Sequence, residues 1–84
     1  NPWNDIGAIL LQMEQPAAAI PWFAVATRSL RYDAPGHPWS NLARAHEALG
    51  NKMAAFDAAR TALEHSPDDD NCLRIIDDLG DALL

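Results

Sequence analysis

Three histidines, one cysteine and a short run of acids are the residues of this chain whose types suit chemistry. A zinc site on a helix pairs two histidines four positions apart or sets them close to cysteines. His37, His46 and His65 lack that pairing, and Cys72 follows His65 by seven positions (72 − 65), so no metal centre is expected. Asp68-Asp69-Asp70-Asn71 lacks the alternating acids and the glycine of a calcium loop. It reads instead as a helix start, where carboxylates meet unpaired backbone N–H groups. Ser29, Ser40 and Ser66 do not assemble with these histidines into a nucleophile, base and orienting acid. The glycines Gly7, Gly36, Gly50 and Gly80 are scattered, so no phosphate-cradling loop exists. The expectation is a chain that is not an enzyme and uses no cofactor.

The elements behind these residues are helical. The 84 residues are 49% hydrophobic, with no β-branched run that would favour a sheet, which predicts one small all-α domain. Pro2 suits the first position of a helix carrying an apolar stripe of Trp3, Ile6, Leu10 and Met13 and ending near Glu14-Gln15. A second helix is expected over 17–32, with Pro21 either in its first turn or at its true start. The breakers Asp33-Ala34-Pro35-Gly36-His37-Pro38 end it. A third helix follows over 38–49, and Gly50-Asn51 turns the chain into a fourth over 53–65. A fifth is expected over 70–83.

Charge and hydropathy narrow the class of partner. Six basic residues against twelve acidic give −6, the wrong sign for a phosphate footprint, so nucleic acid is not expected. Six of the acids and a single arginine fall in 67–84, which reads as a solvated outer face or as an attraction for a basic partner through Asp77, Asp78 and Asp81. Gln, Arg or Asp interrupts every apolar stretch, so membrane insertion is not expected. The lone Cys72 excludes an internal disulfide and fits a reducing compartment, favouring the cytoplasm. The first residue is Asn rather than Met and neither end reads as a targeting segment, which fits a piece of a longer chain.

The strongest organisational signal is internal. Pro2-Trp3-x-x-Ile6-Gly7-x-x-Leu10 recurs as Pro38-Trp39-x-x-Leu42-Ala43-x-x-His46, an offset of 36 (39 − 3). At the same offset Met13 falls on Leu49, Ala19 on Ala55, Phe23 on Ala59 and Ala26 on Ala62. The second copy, Trp39, Leu42, Ala43, His46, Leu49, Gly50, Ala55, Ala59, Ala62 and Pro67, resembles the tetratricopeptide repeat, with His46 and Ala59 in place of aromatics. Leu73, Ile76 and Leu83 begin a third unit 34 residues on (73 − 39). The resemblance covers nearly the whole chain. It implies a right-handed α-α superhelix of five antiparallel helices, with repeats over 1–36 and 37–69 and a C-terminal capping helix over 70–84. Small residues at Gly7, Ala19, Ala26, Ala43, Ala55 and Ala62 would let helices cross closely, with Trp3, Trp39, Ile6, Leu42 and Phe23 filling between them.

The family resemblance also implies a site. Tetratricopeptide domains bind peptides on the concave face lined by the first helix of each pair, at its non-core positions. Here these are Asn4, Asp5, Ala8, Leu11 and Gln12, then Ser40, Asn41, Arg44, Glu47 and Ala48, then Arg74, Ile75, Asp78 and Asp81. Arg44 and Arg74 would pair with a carboxylate or phosphate on an extended peptide, and Asn41 would clamp its backbone. Chaperone-binding members place a basic residue and an Asn where this chain has Asn4 and Ala8, so a chaperone-tail receptor is not implied. The resemblance therefore implies a non-catalytic adaptor binding a peptide or helix of another protein. Two alternatives stay open: self-association or docking through apolar edges around Trp22, Val25 and Leu30 or Leu79, Leu83 and Leu84, and service as the substrate-recruiting part of an enzyme.

Overall fold

Every regular element among the described residues is a helix. The computed structural model describes residues 2–29 and 36–83 and contains α1 (Pro2–Gln12), α2 (Pro16–Thr27), α3 (Gly36–Ala48), α4 (Lys52–His65) and α5 (Asp70–Leu83). Consecutive helices pack on each other in order, and in addition α1 touches α3 and α3 touches α5. Among the described residues α2 and α4 do not touch. The odd-numbered helices therefore form one connected layer. Among the described residues no helix is long and apolar enough to cross a membrane.

The limits of α2 and the start of α3 differ from the sequence expectation. α2 begins at Pro16, whose missing N–H has no partner to lose there, so Pro21 lies inside the helix rather than in its first turn or at its start. There it leaves the Ala17 carbonyl without its usual donor, a local cost that packing of the apolar α2 must offset. α2 also stops at Thr27, where the Arg28 and Ser29 N–H groups close onto the carbonyls of Val25 and Ala26. The expected continuation to Tyr32 fails over 28–29, and residues 30–35, which hold the first half of the breaker cluster, lie outside the described residues. α3 starts at Gly36, still within that cluster, because Pro38 needs no donor in a first turn.

The hairpin turns repeat at the backbone level. α1 closes with Gln15 N–H donating to the Leu10 carbonyl, and α3 closes with Asn51 N–H donating to the His46 carbonyl. Both closures turn through a left-handed residue, Glu14 (φ 59°) in the first and Gly50 (φ 78°) in the second, again 36 apart (50 − 14). Gly accepts that conformation freely, whereas a side chain with a Cβ costs about 1–2 kcal/mol. Glu14→Gly is accordingly expected to raise stability by about 0.5–1 kcal/mol in urea unfolding, whereas Gly50→Glu lowers it.

The core is built from small residues and a few large ones. Ala19, Phe23, Ala26, Leu42, Ala43, Ala45, Ala55, Ala58, Ala59, Ala62, Cys72 and Ile75 are buried. A Cβ added at Gly7 would stand 2.5 Å from Phe23 Cε1, so the Phe23 ring rests directly on the α1 backbone. The second hairpin places Ala43 and Ala59 at the corresponding positions, both fully buried. Glycine with phenylalanine in one copy and alanine with alanine in the other both satisfy close packing.

The large partners divide differently from the sequence expectation. Phe23 and Leu42 are buried and Trp39 is half-buried against the core. Trp3 (41%), Ile6 (36%) and Met13 (59%) are exposed, so they do not fill the helix crossings as expected. The face of α1 that turns inward carries Asn4, Gly7, Ala8, Leu10 and Leu11 instead. Of the predicted stripe of Trp3, Ile6, Leu10 and Met13, only Leu10 packs against the core, while Trp3 stacks on Trp22 of α2 with ring centroids 6.1 Å apart.

Candidate interaction face

The layer of α1, α3 and α5 carries a chain of polar contacts running from helix to helix. Asn41 on α3 donates from Nδ2 to Asn4 Oδ1 on α1 at 2.9 Å, and its own Oδ1 accepts from Arg44 at 3.2 Å. One turn further along α3, Glu47 receives both arms of the Arg74 guanidinium from α5, at 2.8 and 3.0 Å. Arg74 also donates to Asp78 at 3.1 Å and to Asn71 at 3.1 Å. Spacings of three and four residues explain the contacts within helices, because Asn41 and Arg44, or Asn71, Arg74 and Asp78, then share one helical face.

Of the fourteen residues named for the site, five lie on this chain of contacts in accessible positions: Asn41, Arg44, Glu47, Arg74 and Asp78. Gln12 is exposed, while Ala8 and Leu11 are half-buried and pack against the core. Asn4 and Ser40 do not offer themselves to a ligand as expected, since both are buried. They occupy the same repeat position, 36 apart (40 − 4), and each bonds to the next odd-numbered helix. Asn4 accepts from Asn41, and Ser40 Oγ accepts from Cys72 Sγ at 3.4 Å. Small polar side chains at that position let neighbouring helices approach while satisfying their own hydrogen bonds. Ile75 is likewise not a groove residue but a fully buried core residue of α5. Asp5 and Ala48 are exposed, and the Asp81 side chain lies outside the described residues.

Electrostatics divides the two arginines. Hydrogen bonds donated to Glu47 and then to Asp78 push the Arg74 guanidinium further toward its charged form, and the same pairing holds the Glu47 carboxyl below its usual range. Arg74 therefore ties α3 to α5, and a ligand carboxylate would have to displace Glu47. Both partners are substantially exposed, so the tie contributes only about 0–1 kcal/mol. Arg44 is exposed and, among the described residues, forms no ion pair, its guanidinium touching only the neutral Asn41 amide. It is the cation on this face with donors to spare. Asn71 Nδ2 is buried without a hydrogen-bond partner. That donor sits beside Arg74, a feature that one-helix periodicity does not reveal.

The start of α5 is fixed by a cap that also shields Cys72. Asp69 Oδ1 accepts from the Cys72 backbone N–H at 3.0 Å, three residues into the helix. Burial alone would raise the Asp69 carboxyl, but hydrogen bonds from the Cys72 backbone and from Ser40 outweigh it and leave it below its usual range. Burial also pushes the Cys72 thiol up, keeping it protonated and unreactive. Asp69→Ala is expected to cost about 1 kcal/mol near neutral pH. Because the folded carboxyl is depressed, that contribution is fully present above the ordinary carboxylate pKa and lost as pH falls through the folded value. Urea midpoints of wild type and variant should therefore differ above about pH 4 and draw together progressively as pH falls below it.

His46 holds its ring below the usual imidazole range because of burial. Its Nδ1 lies 3.3 Å from Asn51 Nδ2, which donates to it when the ring carries its proton on Nε2. This links the end of α3 to the turn before α4. Comparison with family models, curated proteins and solved structures returned no match.

Proposed function

We propose that this chain is a tetratricopeptide-like interaction module that binds a peptide segment of another protein across α1, α3 and α5, without catalysis. The observation that carries the reading is the lateral connection of the three odd-numbered helices by side-chain contacts, Asn4 to Asn41 and Glu47 to Arg74. A surface built in this way presents Gln12, Arg44, Glu47 and Asp78 from three helices at fixed spacing, which suits an extended ligand running across the helix axes. The 36-residue repeat and the contacts of α1 with α3 and of α3 with α5 support the superhelical reading, in which these helices line the concave side.

The electrostatics of the face indicates the ligand's character. Glu47 is already neutralised by Arg74, and Arg44 has spare donors. A peptide with one carboxylate or phosphate near Arg44 and otherwise neutral side chains fits this arrangement better than a strongly acidic or basic one. Selection of a random peptide library against the folded chain tests the reading. Peptides recovered with wild type should lose at least about tenfold in affinity to Arg44→Glu, a change of about 1.4 kcal/mol. Arg44 is exposed, so the variant should fold. Recovered peptides that bind Arg44→Glu and Asn41→Ala as tightly as wild type would remove the basis of the proposal.

A further inference from the structure

We infer that a peptide bound across α1, α3 and α5 runs in one direction only, with its N-terminal end toward α5 and its C-terminal end toward α1. This polarity presupposes the peptide-binding reading above and goes beyond it. Its source is the Asn41 amide, which is held at both ends. Asn41 Nδ2 donates to Asn4 Oδ1 on α1 at 2.9 Å, and Asn41 Oδ1 accepts from Arg44 Nη1 at 3.2 Å. A guanidinium has N–H donors and no acceptor, so the Asn41 atom that meets Arg44 has to be the oxygen. The amino end is then turned toward α1, where Asn4 supplies the acceptor. Reversing the amide would set N–H against N–H at Arg44 and lose both bonds. The direction from Oδ1 to Nδ2 of Asn41 therefore points from α3 toward α1.

A carboxamide carries two N–H donors and two acceptor lone pairs. Asn4 takes one donor and Arg44 fills one lone pair, which leaves Asn41, a half-buried residue, one N–H and one lone pair for a ligand. In an extended peptide the N–H and C=O of one residue point to the same side, with the N–H nearer the N-terminus. When such a residue takes both free groups of Asn41, its N–H meets Oδ1 and its C=O meets Nδ2. The N-to-C direction of the peptide then copies the Oδ1 to Nδ2 direction and runs from α3 toward α1. The opposite polarity sets N–H against N–H and carbonyl against carbonyl, and forfeits the pair.

Charge along the layer favours the same direction. Residues 67–84, which include α5, hold six acids and one arginine, whereas 2–29 holds only Asp5, Glu14 and Arg28. Asp77 and Asp78 are exposed on α5, and Arg74 is already engaged by Glu47 and Asp78. The positive amino end of a peptide is therefore favoured beside α5 and its negative carboxyl end away from it.

Two versions of one library-selected peptide, carrying a nitroxide at the N-terminus or at the C-terminus, test the polarity against the isotope-labelled chain. About ten extended residues span about 33 Å, and adjacent helix axes lie about 8–10 Å apart, so the two labels rest over different helices. The N-terminal label is expected to broaden α5 amides such as those of Arg74 and Asp78, and the C-terminal label α1 amides such as those of Asp5 and Ala8. In Asn41→Ala, with helix content unchanged by circular dichroism, the distinction between the labels is expected to be lost, or the binding itself. Labels that exchange their targets, or that each broaden α1 and α5 equally in wild type, overturn the inference and leave the peptide-binding reading intact. Polarity that survives in Asn41→Ala overturns the part assigned to Asn41. A library that yields no binder overturns the peptide-binding reading and the polarity with it.

Discussion

Phe23→Ala is expected to lower stability by about 3–5 kcal/mol, a large share of the roughly 5–15 kcal/mol that holds a small domain folded. The ring is completely buried and rests on the α1 backbone at Gly7, so its removal leaves a cavity that the rigid hairpin cannot close. Gly7→Ala alone should also destabilise, by about 1–3 kcal/mol, because the new methyl meets a ring that has no open space to move into. In the Phe23→Ala background the sign should reverse. The clash is gone, the methyl fills part of the cavity, and alanine gains about 1 kcal/mol over glycine inside a helix. The double variant reproduces the pairing the chain already uses at Ala43 and Ala59. Urea unfolding of the four proteins checks the reversal through the coupling term. Gly7→Ala destabilising equally in both backgrounds would contradict the packing described.

Ile75→Ala should cost about 2–5 kcal/mol, while Leu73→Ala, two residues away on the same helix, should fall within about 1 kcal/mol of wild type. Ile75 is fully buried among the core residues and Leu73 is 46% exposed. The comparison fixes the rotation of α5 about its own axis, and with it the placement of Arg74 over Glu47. Thermal unfolding read by circular dichroism is sufficient. Equal losses at both positions would mean that α5 is rotated from the described packing.

Leu73 and Ile75 mark one limit of what was legible, since Leu73 stands 34 residues after Trp39 yet is exposed and Ile75, assigned to the groove, is buried. Offsets of 36 aligned Phe23 with Ala59 and Gly7 with Ala43, and the helix count followed from breakers that are strong local signals. Burial at Ala19, Ala26, Ala55 and Ala62 was legible for the same reason, since small residues recurring at one offset mark crossings. The exposure of Trp3 and Ile6 was not, because their helix has the right residues for burial and what packs outside it is no property of those residues. Ending α2 at Thr27 was equally hidden, since 28–29 carry no breaker of their own.

The interaction face was legible in part. Arg44 and Glu47 lie on α3 and Arg74 and Asp78 on α5, but no spacing in the sequence indicates that Arg74 is held by three acceptors at once. Pairings between helices depend on their relative offset, which periodicity within a helix does not encode. Asn4 and Ser40 looked like solvent-facing polar residues because small amides and hydroxyls usually are. Their common repeat position was the available signal, and the partners Asn41 and Cys72 explain why both are buried.

The central claim is that α1, α3 and α5 together form a peptide-binding face. Amide chemical-shift mapping during titration of a library-selected peptide into the isotope-labelled chain tests it most directly. The account predicts the largest shifts at Gln12, Arg44, Glu47, Ala48 and Asp78, with α4 positions such as Met53 and Arg60 unmoved. Shifts concentrated on α2 and α4, or on Trp22 and Val25 alone, would contradict it and place binding on another side of the molecule.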